Sequence, residues 1–182
     1  MTTNVSAQNR CFLDCDGVMA DFDHLAREIF GEEPTEWEAQ NGSGPFWKTL
    51  RDYRDPRTGH GFFRSLPLMA GAQQLFDAVA HLKPTILTGC PFGNWAPPQK
   101  LEWAAEHFPG TPMITCMARE KIQHLEHPGD VLVDDKTKYQ TIWEEGGGIF
   151  VHHTDAASTI AKLKEIHPIW FQRTDRWTPK SI

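Results

Sequence analysis

Phe12-Leu13-Asp14-Cys15-Asp16-Gly17-Val18 decides the fold. An apolar run ends there in two aspartates, one residue apart, followed by glycine. In an extended strand, alternate side chains point to the same face. Asp14 and Asp16 are therefore expected to project together at the carboxyl end of a strand, where open α/β sheets place their sites. Two like charges held so close call for compensation, most simply by a divalent cation with oxygen ligands.

Working outward, Asp21 to Phe30 reads as a short helix, with Phe22, Leu25, Ala26, Ile29 and Phe30 on an apolar stripe and Gly31 as its stop. From there to about Leu66 the pattern changes. Glu32-Glu33-Pro34, Asn41-Gly42-Ser43-Gly44-Pro45 and Asp55-Pro56-Arg57-Thr58-Gly59 are turn signals, and Trp37, Phe46, Trp47, Tyr53, Phe62 and Phe63 lie between them. This predicts a small insert, residues 31–65, with its own aromatic cluster, set into a core made of residues 1–30 and 66–182. Alternation resumes at Gly71. Helices are expected over 72–82, 98–108, 138–145 and 155–166, and a helical turn over 120–125. Strands are expected over 84–88, 113–116, 130–134 and 148–151. Strands alternating with helices imply an α/β fold with a parallel sheet and right-handed crossovers. The tail from Pro168 carries Trp170, Phe171 and Trp177 and is expected to pack on the domain.

The 182 residues suit one domain with room for an insertion, and 40% apolar content can bury a sizeable core. A formal net charge of −6, with Lys and Arg spread along the chain, argues against a nucleic-acid polymer as partner but leaves a single nucleotide open. The four cysteines, Cys11, Cys15, Cys90 and Cys116, form no CxxC pair and read as buried free thiols in a reducing cytosol. Structural zinc needs four ligands, which Cys11 and Cys15 do not supply. Met1 to Arg10 has no apolar signal core, and no apolar run approaches a membrane span. The expectation is a soluble cytoplasmic protein with no membrane partner, and a homodimer stays open.

Four features fall at successive strand ends: Asp14-Cys15-Asp16-Gly17, then Ile86-Leu87-Thr88-Gly89, then a lysine (Lys121 or Lys100), then Val131-Leu132-Val133-Asp134-Asp135. Parallel strands end on one edge, so these residues can converge. Each type has a use in phosphoryl transfer. A carboxylate can act as nucleophile. A hydroxyl, backbone N–H groups and a lysine can hold phosphate oxygens, and magnesium can neutralise both the phosphate and the carboxylates. A second carboxylic acid can protonate the leaving alcohol and later activate water. Singly, each has a bland reading: a polar strand end, a turn or helix-capping residue, a solvated lysine. Their order and their common placement at strand ends favour chemistry over structure.

In this order the motifs resemble the haloacid dehalogenase superfamily, over about Cys11 to Val151. The resemblance implies a three-layer Rossmann-like core with a small, mainly helical cap after the first motif. It implies that Asp14 is the nucleophile and a magnesium ligand, and that Asp16 is the general acid/base and lends its carbonyl to the metal. Thr88 and the Gly89 backbone would bind phosphate, Lys121 would stabilise it, and Asp135, supported by Asp134, would complete the Mg2+ site. More closely, Asp14-Cys15-Asp16-Gly17-Val18-Met19-Ala20-Asp21-Phe22 and Gly61-Phe62-Phe63-Arg64-Ser65-Leu66-Pro67-Leu68-Met69-Ala70-Gly71-Ala72 are similar to segments of the 5'(3')-deoxyribonucleotidases. Ala118-Arg119-Glu120-Lys121 sits where those enzymes have Arg-Asp-Lys, which favours Lys121 over Lys100. In those enzymes aromatics enclose the base, and Phe22, Phe46 and Trp47 match that pattern. Phe46 and Trp47 read equally as cap core. Gly89 stands where those enzymes usually carry Ser, and Cys90 to Trp95 diverges. The expected substrate is a nucleoside monophosphate. The rivals are a phosphatase for another small ester such as a sugar phosphate, a receiver-type phospho-acceptor domain, and a non-catalytic binding module.

Overall fold

The computed structural model describes residues 9–171. Five parallel strands form one sheet in the order β3-β2-β1-β4-β5: β1 Cys11–Leu13, β2 Thr85–Gly89, β3 Met113–Cys116, β4 Val131–Asp134 and β5 Ile149–His152. The central strands β1 and β4 are buried along their whole length, as an apolar run covered on both faces must be. Phe12, Leu87, Leu132 and Trp143 pack on one face of the sheet, and Leu13, Val131, Val133 and Ile86 on the other.

The helices are α1 Phe22–Phe30, α2 Pro34–Asn41, α3 Ser43–Asp52, α4 Ala72–Val79, α5 Ala96–His107, α6 Gln140–Glu145 and α7 Ala156–Ile166. Their ends follow local chemistry. Asp21 caps α1 by accepting the His24 N–H at 3.0 Å, and Gly31 ends it in the left-handed region at φ 75°. The helix expected over 72–82 tightens to a 3-10 turn at Ala80–Leu82, and that expected over 138–145 begins as a 3-10 turn at Thr137–Tyr139.

Between α1 and α4 lie α2 and α3. The aromatic cluster expected for this segment is not separate. Phe30 stacks on Trp37 and on Phe46, with centroids 4.4 and 4.9 Å apart. Phe22 touches Phe46, Trp47, Phe62 and Phe63. Two short helices cannot bury so many rings between themselves, so the rings join the main core. The return to that core is pinned by buried Trp103 of α5, whose indole N–H donates to the Leu66 carbonyl at 2.7 Å. In the tail, Trp170 is buried and stacks on His167 at 4.2 Å. Trp177 lies outside the described residues.

Candidate active site

Asp14 follows directly on β1, its N–H bonded to the Val133 carbonyl at 2.8 Å. Asp16 is not on the strand. Gly17, at φ 78°, turns the chain, and the Cys15 carbonyl accepts from Val18, Met19 and Ala20. The two carboxylates still line one cavity, but a tight turn brings the second there rather than strand alternation. Any side chain at Gly17 would collide with the Asp135 carboxylate, so glycine is required here for close approach as well as for φ.

Lys121 sits in a 3-10 turn, Ala118–His124, just beyond β3. It is 4% exposed; its Nζ lies 2.9 Å from Asp14 Oδ1 and donates to Asp134 Oδ2 at 2.6 Å. Burial alone would lower its pKa, but the two carboxylates outweigh burial and hold it raised. Asp14 Oδ1 also accepts the Cys15 N–H at 2.8 Å. Asp134, at the end of β4, accepts the Lys136 N–H at 2.8 Å. Burial, then the neighbouring Asp14, pushes its pKa up. Asp135 pairs with Lys136 Nζ at 3.1 Å, and burial pushes its carboxyl up to about 6.

One carboxylate oxygen each from Asp14, Asp134 and Asp135 lies within 4.8 Å of the others. Hard oxygen donors crowded in such a site, with the Asp134 and Asp135 carboxyls pushed up first by burial and then by the neighbouring Asp14, fit a divalent cation. Asp16 does not belong to this triad.

Lys100 is the residue whose part sequence reasoning missed. It was one of two lysine candidates, yet the structure brings both in. Lys100 is 1% exposed and donates to Asp16 Oδ2 at 2.6 Å and to Thr88 Oγ1 at 2.9 Å, with its Nζ 4.4 Å from the Phe63 ring centroid. The signal was present in the helix period: Ala96, Lys100, Trp103 and Ala104 share the buried stripe of α5. Asp16 Oδ1 is buried without a hydrogen-bond partner among the described residues. Burial raises the Asp16 pKa; Lys100 opposes this and Asp14 adds to it.

Thr88 is fully buried and held by Lys100, so its hydroxyl does not line the cavity, whereas Gly89 does. The cavity, about 630 Å³, runs from these strand ends to Phe22, Phe46 and Trp47. Phe46 is 3% exposed and stacked on Phe30, which makes it chiefly core; Phe22 and Trp47 are half-buried and offer ring surface. Cys90, Phe92 and Met117 also line the cavity and carried no recognisable pattern in the sequence; Ala118, which opens the Lys121 segment, lines it too.

A parallel sheet with a carboxylate-and-lysine site at its carboxyl edge, together with likeness to known proteins, places the chain among the haloacid dehalogenase-like hydrolases. Among solved structures, a protein of Burkholderia xenovorans LB400 described as a haloacid dehalogenase-like hydrolase shares the fold, with a TM-score of 0.53, 16% identity, and coverage of 90% of this chain and 98% of that one. No curated protein matches the sequence. The model of the family "5' nucleotidase, deoxy (Pyrimidine), cytosolic type C protein" matches residues 9–177, and the chain belongs to that family. It is a hydrolase of phosphomonoesters, of the nucleotidase and phosphatase kind. Among the described residues, no helix is long and apolar enough to cross a membrane.

Proposed function

We propose that this protein is a magnesium-dependent 5'(3')-deoxyribonucleotidase that works through an aspartyl-phosphate intermediate, in the cytosol. The observation that carries this reading is the pairing of Lys121 with Asp14 beside Asp134 and Asp135, in the same cavity as the Lys100-held Asp16. Residues 31–65 act as the cap, with Trp47 and Phe22 facing the base and Phe46 supporting them.

Lys121 and the Cys15 N–H hold Asp14 Oδ1, which aims the carboxylate and leaves Oδ2 as the nucleophile. Oδ2 forms a bond to phosphorus as the ester P–O bond breaks. The leaving oxygen takes a proton from Asp16, whose raised pKa suits it to carry one. Asp16 then removes a proton from water, which attacks phosphorus and releases phosphate from Asp14. The Gly89 backbone and Lys121 bind the phosphate oxygens. The carboxylates of Asp14, Asp135 and Asp134 and the Asp16 carbonyl would hold Mg2+, which when bound supplies positive charge against the phosphate.

The test is phosphate release with magnesium, measured across deoxy- and ribonucleoside 5'- and 3'-monophosphates, sugar phosphates and an aryl phosphate. Asp14→Asn is expected to lose at least about a thousandfold in kcat while keeping its fold by circular dichroism. Near-normal turnover by that variant would sink the mechanism. Activity confined to sugar phosphates would keep the chemistry and discard the nucleotide.

A further inference from the structure

Phe92 is 91% exposed, the most exposed of the large apolar side chains in the described residues. The other exposed ones, Leu68, Leu101, Ile142 and Ile169, do not line the cavity; Phe92 does. Single apolar residues on a surface are ordinary. A phenyl ring left almost wholly in water at the mouth of an active site, on a braced loop, is not.

The bracing comes from both ends of the loop between β2 and α5. On one side the Cys90 N–H bonds to the Cys116 carbonyl at 2.8 Å, extending the β2–β3 ladder past Gly89. On the other, Trp95 packs on Phe63 with centroids 5.2 Å apart. Pro91 restricts the backbone before the ring, and Gly93, at φ 103°, reverses it immediately after. The loop is thus anchored at both ends, and Pro91 beside the ring lines the same cavity.

We propose that Phe92 is a specificity-determining residue that stacks on the planar group of the substrate, so that the base is gripped by the β2–α5 loop as well as by Trp47 and Phe22. Aromatic faces bind bases of any sequence by stacking. With Phe46 chiefly in the core, Phe92 adds ring surface to that of Trp47 and Phe22. The inference rests on the nucleotidase reading, because it takes the partner of the ring to be a planar base.

The test compares Phe92→Ala, Phe92→Tyr and the wild type in kcat and KM, on a deoxynucleoside monophosphate and on glycerol phosphate, with the mass in solution measured by light scattering. Phe92→Ala is expected to raise KM for the nucleotide about tenfold, without a matching rise for glycerol phosphate, and Phe92→Tyr to restore it. If the wild type turns over nucleotides and Phe92→Ala keeps the same KM, this inference fails and the nucleotidase reading stands. A variant that instead changes only the oligomeric state would overturn it in favour of a subunit contact. A wild type inactive on every nucleotide would bring down the functional reading itself.

Discussion

Gly89 occupies a position where a side chain is a steric question. A Cβ placed there would lie 3.0 Å from the Ala118 Cβ and 3.3 Å from its Cα. Ala118 opens the turn that carries Lys121, so pressure at residue 89 bears on the lysine that holds Asp14. Gly89→Ser is expected to lower kcat/KM about tenfold, by moving that turn a few tenths of an ångström. Adding Ala118→Gly is expected to recover most of the loss, because it removes the contacting methyl group. A steady-state comparison of the two single variants and the double checks this, and a Gly89→Ser enzyme with raised activity would contradict it. Residue identity alone did not show that Ala118 crowds this position.

Among the elements, α7 shows how local chemistry sets a boundary outside the cavity lining. Asp155 accepts the Ser158 N–H through Oδ1 at 2.8 Å, and the Ser158 hydroxyl donates to Oδ2 at 2.6 Å. Asp155→Ala is expected to destabilise the protein by about 1 kcal/mol and lower Tm by about 2–4 °C. Calorimetry would show the shift, while kcat should stay within about twofold. These helix and strand positions were legible in advance because caps, glycines and apolar periods are local signals. The strand over 113–116 matches fully, and α7 begins one residue after its Asp155 cap. Helix α5 begins at Ala96 rather than at Pro98, because prolines are accepted in a first helical turn.

At the scale of the whole molecule, folding brings together carboxylates from distant segments, and this couples stability to pH. The Asp135 carboxyl is raised from 3.8 to about 6, first by burial, with Lys136 opposing and Asp14 adding. The folded chain then binds more protons than the unfolded one between about pH 4 and pH 6. The stabilising contribution is therefore fully present below about pH 4 and lost as pH rises through about 6. In metal-free protein, changing Asp135→Asn should remove about 1–2 kcal/mol of pH-dependent stability across that window. Denaturant melts of the two proteins at pH 4.5 and 7 measure the difference. If their pH dependence is identical, Asp135 is not shifted. The same proton competes with a cation, so the magnesium concentration giving half-maximal activity should rise as pH falls below about 6.

The sequence by itself determined the parallel α/β architecture, the position of Asp14 at the end of β1, and the late acidic pair Asp134-Asp135. Each of these depends on a short-range pattern: a buried apolar run, a two-residue or 3.6-residue period, a capping side chain. Only the tertiary structure decided which lysine meets which carboxylate. Lys121 reaches Asp14 and Asp134, and Lys100 reaches Asp16 and Thr88. It also withdrew Thr88 from the cavity, committed Phe46 to the core and left Phe92 at the mouth. These choices turn on how α5 and the turn at Lys121 pack over the sheet. The nearest of these contacts, between Lys100 and Thr88, spans 12 residues, and that between Lys100 and Asp16 spans 84. No local period encodes a distance between side chains that only packing brings together.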